Sequence, residues 1–595
     1  MQRAKSKGQR VLFMSLRRSF ILPFLAGCAG PSARSAPAFV IDTATPPDLA
    51  VTDSMLRAGH STDPSQWLTY GGDVSQRRFS PLKEITPENV GQLRPKWIWQ
   101  TGVAESFQST PLVVGGAMYV TTPMVEQTQR VVKLNAATGK VLWETPVRIG
   151  TALFCCGPNN RGVAAWGDKV FLATLDARLI ALKMSDGSVA WEASIGDAAH
   201  GYGNTSAPSA FDGKVFIGTS GGEWATRGFL KAFDAETGKP VWTWYTIPSP
   251  EDGGWWGAWT EKAPGTELSL NRDIAKEHAD SAKYADSWQR GGGPIWMPAT
   301  IDPEHGLLFV SVGNVNPDYN GATRPGDNRW GSSICALRIA DGSKAWCWQW
   351  MPHDVWDYDG ASPTFLFDLE RPGGPVPALG VFTKLGFFYV LDRVKGELIT
   401  RSDAYVPHQN LFKVPTAKDS IVVAPGSAGG TNWSPGAYSP LTRLAYTAAI
   451  DWPMITMADA GDTCPAGHIC VGGDLAIAPG QGSAMGSGIL AALDPGTGKV
   501  AWQQKTTLPL IGGVLTTAGG LVFSGQSDGT FDAWDAKNGT HLWQFRTGAG
   551  CNSAPMTWQI EGKQHIAVAC GGSFVLSRSG MPSPPGGTLM VFALP

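Results

Sequence analysis

The decapeptide LNAATGKVLW, Leu134–Trp143, decides the fold. It reads as the end of one strand, a tight Thr-Gly turn, and a second strand that reaches tryptophan, as in an antiparallel hairpin. The phrase recurs as LKMSDGSVAW to Trp191, FDAETGKPVW to Trp242, LRIADGSKAW to Trp346, LDPGTGKVAW to Trp502 and WDAKNGTHLW to Trp543. A further copy, LDRVKGELI, has Ile399 in the tryptophan place. Alternating or apolar runs such as GKVFIGTS and GGLVFSGQ lie between the copies. A repeat of roughly 40 to 50 residues with four strands per unit indicates a β-propeller. Near the C-terminus GGTLMVFALP supplies the strand before such a turn, and PKWIWQTG, around residue 97, supplies the strand after it. Together they complete an eighth unit and leave no exposed sheet edge. The expectation is an all-β, eight-bladed propeller over 66–595, its tryptophans docking each turn repeat between blades.

Composition agrees with one large soluble body. The 595 residues are 43% hydrophobic and 16% charged with a formal net charge of −2, so a large core is possible and no nucleic-acid partner is indicated. The N-terminus is different. Basic MQRAKSKGQRVLFMSLRRSF runs into apolar FILPFLAGC and then Pro/Ser-rich AGPSARSAPA. This reads as an export signal over 1–28, too short for a membrane span, followed by a linker over 29–65. LAGC, Leu25–Cys28, resembles a lipoprotein box, which would place a lipid anchor on Cys28, and RRSFI from Arg17 resembles a twin-arginine signal. The alternative is an ordinary cleaved signal with Cys28 discarded. Either reading exports the protein, so the expected location is the periplasm, as a free or membrane-anchored lipoprotein form.

Without Cys28, eight cysteines remain, an even number suited to an oxidising space. Cys335 and Cys347 flank the turn ADGS, Cys551 and Cys570 flank IEGK, and Cys464 and Cys470 bracket a short loop. That leaves Cys155 beside Cys156 in TALFCCGPNNRGVA, with Arg161 close behind. A bond between neighbours forces unusual backbone geometry and usually persists only where it has a use. Two longer gaps between repeats, Trp242 to Trp346 and Ile399 to Trp502, hold loop insertions of the kind that shape a site on a rigid scaffold.

In order along the chain, CCGPNNRGVA, TSGGEWATRGFLKAFDAETG, GGGPIW, SVGNVNP, MPHDVWDYDG, KLGFFYVLDR and TNWSPGAYSP resemble the pyrroloquinoline quinone (PQQ)-dependent alcohol dehydrogenases, eight-bladed quinoproteins. The resemblance implies that the Cys155–Cys156 disulfide covers one face of the planar quinone and Trp296 supports the other. Arg161 would pair with a cofactor carboxylate in forked geometry. Thr205, Ser220, Gly221, Gly222, Asn432 and Trp433 fall on further cofactor-contact motifs. Glu223, Asn314 and Asp357 fall on the metal-ligand positions, hard oxygen donors suited to calcium. Asp357 would take the substrate hydroxyl proton, and Lys384 would hydrogen-bond the quinone oxygens. If WDYDG is extended, Asp359 points to the same side as Asp357, a second carboxylate that would favour a lanthanide over calcium.

Three positions depart from the family pattern. Gln108 in FQSTP replaces a glutamate that touches the quinone, Ser573 replaces a late tryptophan, and Ile511 replaces another before Gly-Gly. No Cys-x-x-Cys-His haem motif occurs in these residues, so a separate cytochrome c is the expected acceptor. The implied reaction is oxidation of a small primary or secondary alcohol, with PQQ-dependent sugar or polyol oxidation and a non-catalytic scaffold as the alternatives.

Overall fold

The turn repeats fold as hairpins in the computed structural model, which describes residues 45–595 apart from 361, 460–464, 466 and 478–485. The expected export signal, Cys28 and the first part of the linker lie outside the described residues, as does Cys464. Thr128–Asn135 pairs antiparallel with Val141–Arg148, and the register shifts beside the turn, between Lys133 and Leu134. Gly139 closes that turn at φ +72, a left-handed conformation that glycine adopts without steric cost. Each hairpin is extended by two further strands. In the first sheet these are Leu112–Val114 and Ala117–Thr121, and the latter is buried along its whole length because other sheets cover both of its faces. The outer strand Val141–Arg148 faces solvent on one side and alternates in exposure.

The fold is an all-β propeller. Among the described residues eight sheets contain four consecutive antiparallel strands, one of them widened by Phe79–Ser80 running parallel to Val514–Thr517. One of the eight joins distant parts of the chain: Arg94–Gln100 pairs with Thr588–Ala593, which continues to Lys563–Cys570 and Met556–Ile560. The repeat tryptophans each reach the neighbouring sheet. The indole N–H groups of Trp143, Trp191, Trp242, Trp346 and Trp502 donate to the carbonyls of Met184, Ala235, Ile339, Arg393 and Ala536 at 3.0–3.3 Å. Trp97 does the same to Ala136. Each ring also lies against the turn glycine of that neighbour, so a Cβ at Gly187 would stand 2.7 Å from the Trp143 ring.

The stretch 45–65 is not the open linker expected from its sequence. Val51 bridges to Gly167, and Asp53–Thr62 forms a helix capped by the Thr52 hydroxyl, which accepts from Met55 N at 3.3 Å. Leu56 and His60 are buried beneath it, and Asp53 accepts from the Trp166 indole at 2.9 Å. A cap residue followed four positions later by a buried leucine was the available signal.

The disulfides Cys335–Cys347, Cys551–Cys570 and Cys155–Cys156 are formed, the first between directly opposed strand residues. Cys470 is also disulfide-bonded. Both long insertions are ordered where described. The first contains the helix Ile274–Asp280, tied down by buried Arg272, which pairs with Glu277 and Asp327 at 2.7 Å each. The second builds a separate three-stranded sheet from Ile421–Val423, Met454–Ala458 and Gly473–Ile477.

Candidate active site

A cavity of about 520 Å³ collects residues from all seven quoted motifs, SVGNVNP and KLGFFYVLDR contributing one each, Asn314 and Lys384. Cys155, Cys156, Arg161, Thr205, Ser220, Gly221, Glu223, Trp296, Asn314, Asp357, Asp359, Lys384, Asn432 and Trp433 all line it. Two of the expected residues do not. Gly222 sits behind the wall, where a Cβ would meet the Pro294 ring at 2.9 Å. Gln108 is buried, and its Oε1 finds no hydrogen-bond partner.

Turn geometry explains how the chain presents these groups. Gly221 at φ +95 opens the short 3₁₀ turn Gly222–Trp224, which brings half-buried Glu223 to the cavity. The Glu223 carbonyl accepts from Cys470 N at 2.7 Å, so the second insertion helps to hold this turn. Pro294 and Asn314 are drawn together by paired backbone bonds, Gly293 N to Asn314 O at 2.8 Å and Gly313 N to Pro294 O at 2.7 Å. The loop after the disulfide packs on the short helix Phe574–Arg578, because Gly157 leaves room for the Phe574 ring. Ser573 caps that helix, and Ile511 lines the cavity.

Arg161 is 3% exposed and lies among aromatic rings, 5.3 Å from the Trp296 ring centre and 5.8 Å from that of Trp433. Its Nη1 donates to the Thr205 carbonyl at 3.1 Å, its Nε has no partner, and among the described residues no carboxylate pairs with it. Burial pushes its guanidinium down to about 10, partly opposed by Tyr70. A buried cation in this state is costly unless an anion joins it.

The acidic groups gather about Lys384. Its ammonium lies 2.9 Å from Asp357 and 2.8 Å from Asp359, and these carboxylates hold its pKa above the ordinary lysine range despite burial. The two aspartates converge for a different reason from the one read in the sequence. Asp357 is left-handed at φ +61, so WDYDG is not extended, and a turn rather than strand alternation places both carboxylates on one ammonium. The Trp296 indole points to Asp359 at 3.4 Å, linking the aromatic wall to the acidic cluster. Burial pushes the Asp357 carboxyl well up, Lys384 pulls it down, and Asp359 pushes it up again. Burial also raises Glu223, with Asp359 adding to the effect.

Sequence reasoning missed Asp318. It lines the cavity at 4% exposure and accepts from the Asn314 amide at 2.7 Å. Burial raises its carboxyl well above the usual range, and the charges of Asp357 and Glu223 raise it further. No local pattern marks it, since a spacing of four through a proline-containing loop fixes no spatial relation.

The residues fit a flat polyanion and a hard cation. The unpaired guanidinium calls for a carboxylate, the disulfide and indole offer apolar walls, and the crowded carboxylates call for a cation beyond one ammonium. Such a cavity on a propeller scaffold defines a cofactor-dependent enzyme.

Comparison with known proteins agrees. The chain belongs to the family of PQQ-dependent quinoprotein alcohol dehydrogenases: residues 67–410 and 487–566 match the glucose/ethanol/alcohol dehydrogenase β-propeller domain. It is 35% identical over 537 residues to quinoprotein alcohol dehydrogenase PedH of Pseudomonas putida, covering 86% of each chain. It is 33% identical to the quinoprotein ethanol dehydrogenase of Pseudomonas aeruginosa, covering 89% of this chain and 90% of that one. Among solved structures, a europium-containing methanol dehydrogenase superposes with a TM-score of 0.80 at 30% identity, over 89% of this chain and 98% of that one.

Proposed function

We propose that the protein oxidises a primary or secondary alcohol to the carbonyl compound with PQQ and a bound metal ion, passing electrons to a separate acceptor such as a cytochrome c. The observation that carries this reading is Arg161, a buried guanidinium without a carboxylate, set between Trp296 and Trp433. Arg161 would hold a cofactor carboxylate, with Cys155–Cys156 and Trp296 as walls, and Thr205, Ser220, Gly221, Asn432 and Trp433 around the rim, while Gly222 and Gln108 support the wall from behind. Glu223, Asn314, Asp357 and Asp359 would hold calcium or a lanthanide. PQQ supplies a two-electron acceptor when bound, and the ion supplies Lewis acidity.

Asp357 is the base, its carboxylate taking the proton of the substrate hydroxyl. Lys384 keeps that carboxylate in place, and its third N–H remains available to the cofactor. Trp452, Met454, Ile450, Ile511, Leu576 and Phe154 give much of the cavity an apolar lining. That lining suits an alcohol with an apolar group better than a polyol, which would need many hydrogen-bonding partners. The propeller is read as eight-bladed, with each repeat tryptophan docking its blade to the next, and the protein as exported to the periplasm, with Cys28 as a possible lipid anchor.

The test is Asp357→Ala. PQQ-dependent dye reduction is expected to fall by at least ~100-fold, the lower range for general-base catalysis, while the circular dichroism spectrum stays unchanged. Undiminished turnover would remove Asp357 from the mechanism.

A further inference from the structure

We propose that Asp318 is a specificity-determining residue of the metal site: it orients the Asn314 amide and supplies the charge that favours a trivalent ion. The inference rests on the reading of Asn314 as a ligand. The Asn314 Nδ2 donates to Asp318 Oδ1 at 2.7 Å, and a carboxylate ionised by a bound cation can only accept, so it keeps the NH₂ edge on its own side. The Asn314 oxygen is therefore turned away from Asp318, and it is the atom that can bind a cation. A neutral partner such as an asparagine amide could meet either edge and would not enforce this choice.

The loop is held on both sides. Arg324, fully buried, donates to the Pro317 carbonyl at 2.9 Å and to the Asp318 carbonyl at 3.4 Å. Tyr319 N donates to the Val471 carbonyl at 2.9 Å, and the Asn316 amide to the Cys470 carbonyl at 2.6 Å. Asp318 is thus fixed in position before any ion arrives.

Charge adds a second effect. Glu223, Asp318, Asp357 and Asp359 line one cavity with Lys384, while Arg161 is engaged by Thr205 and two indoles. Four carboxylates against the Lys384 ammonium and the Arg161 guanidinium leave two negative charges, and three once a cofactor carboxylate pairs with Arg161, enough to balance the three positive charges of a lanthanide. Each added negative charge in a poorly screened site favours a trivalent over a divalent ion.

The experiment measures terbium affinity by tryptophan-sensitised luminescence, with calcium as competitor, on the full chain with PQQ added. Wild type is expected to prefer terbium. Asp318→Asn should weaken terbium by ~10- to 100-fold, the usual effect of losing a group that orients a ligand, and calcium by less. Asp318→Glu should keep a terbium-to-calcium ratio near wild type. An unchanged ratio in Asp318→Asn overturns the proposal, as does a wild type that binds calcium as tightly as terbium. If Asp318→Asn does not fold, a collapsed ratio in Asp318→Glu overturns it instead. Asn314→Ala separates the two readings: weaker binding there beside an unaffected Asp318→Asn rejects Asp318 alone, whereas no effect in either rejects Asn314 as a ligand.

Discussion

Arg161 shows how a single side chain can report its missing partner. A guanidinium surrounded by rings, with an unpaired Nε, forgoes the hydrogen bonds it would make in water. Arg161→Met should weaken PQQ binding by ~30- to 100-fold, matching about 2–3 kcal/mol for a lost charge-assisted hydrogen bond. Arg161→Lys should recover only part of it, because an ammonium cannot fork to a carboxylate. Fluorescence titration with PQQ measures both, and equal affinity in wild type and Arg161→Met would contradict the assignment. Residues of this type were legible in the sequence because motifs carry them: CCGPNNR and GGGPIW led to the cavity wall directly. Asp357 and Asp359 were legible as a pair, though the reason for their convergence was not, since nothing in WDYDG announces a left-handed Asp357. Asp318 was silent because its role depends on Arg324 and on Val471 and Cys470 from a distant insertion.

At the scale of elements, the turn glycines serve two purposes that can be separated. Gly187 and Gly306 are both left-handed, at φ +73 and +65, but a Cβ at Gly187 would meet Thr145 and Trp143 whereas one at Gly306 meets open space. Gly306→Ala should cost only the backbone strain, about 1 kcal/mol, and Gly187→Ala about 1–3 kcal/mol more because the indole must shift. Denaturant unfolding of the two variants measures the difference, and equal losses would mean that the indole contact contributes little. The hairpins were legible because glycine turns and two-residue alternation are local properties. The sheet of Ile421–Val423, Met454–Ala458 and Gly473–Ile477 was not, since its first two strands lie about thirty residues apart and no repeat phrase links them. It lends Met454 and Leu475 to the cavity all the same.

The whole molecule places a buried acidic cluster within a rigid scaffold, and this couples its stability to pH and to metal. Glu223, Asp318 and Asp357 have carboxyls raised in the folded protein by burial first and by neighbouring charge after it. A raised folded pKa means that the favourable contribution exists in acid and is lost as pH climbs above the ordinary carboxylate value of about 4. A cation reverses this, because it binds the ionised groups and displaces protons. The rise in melting temperature on adding a lanthanide should therefore be larger at pH 7 than at pH 5, as calorimetry would show, and an equal rise at both would place the ion elsewhere. The closing sheet has a consequence for biosynthesis. Arg94–Gln100 finds its partner only in Thr588–Ala593, so a nascent chain has made almost all of its other strands before this one can be completed. Until then Arg94–Gln100 waits with an open flank, and the ring can shut only after synthesis of Thr588–Ala593, which leaves a window in which a chaperone, or a second unfinished chain, competes for the same edge.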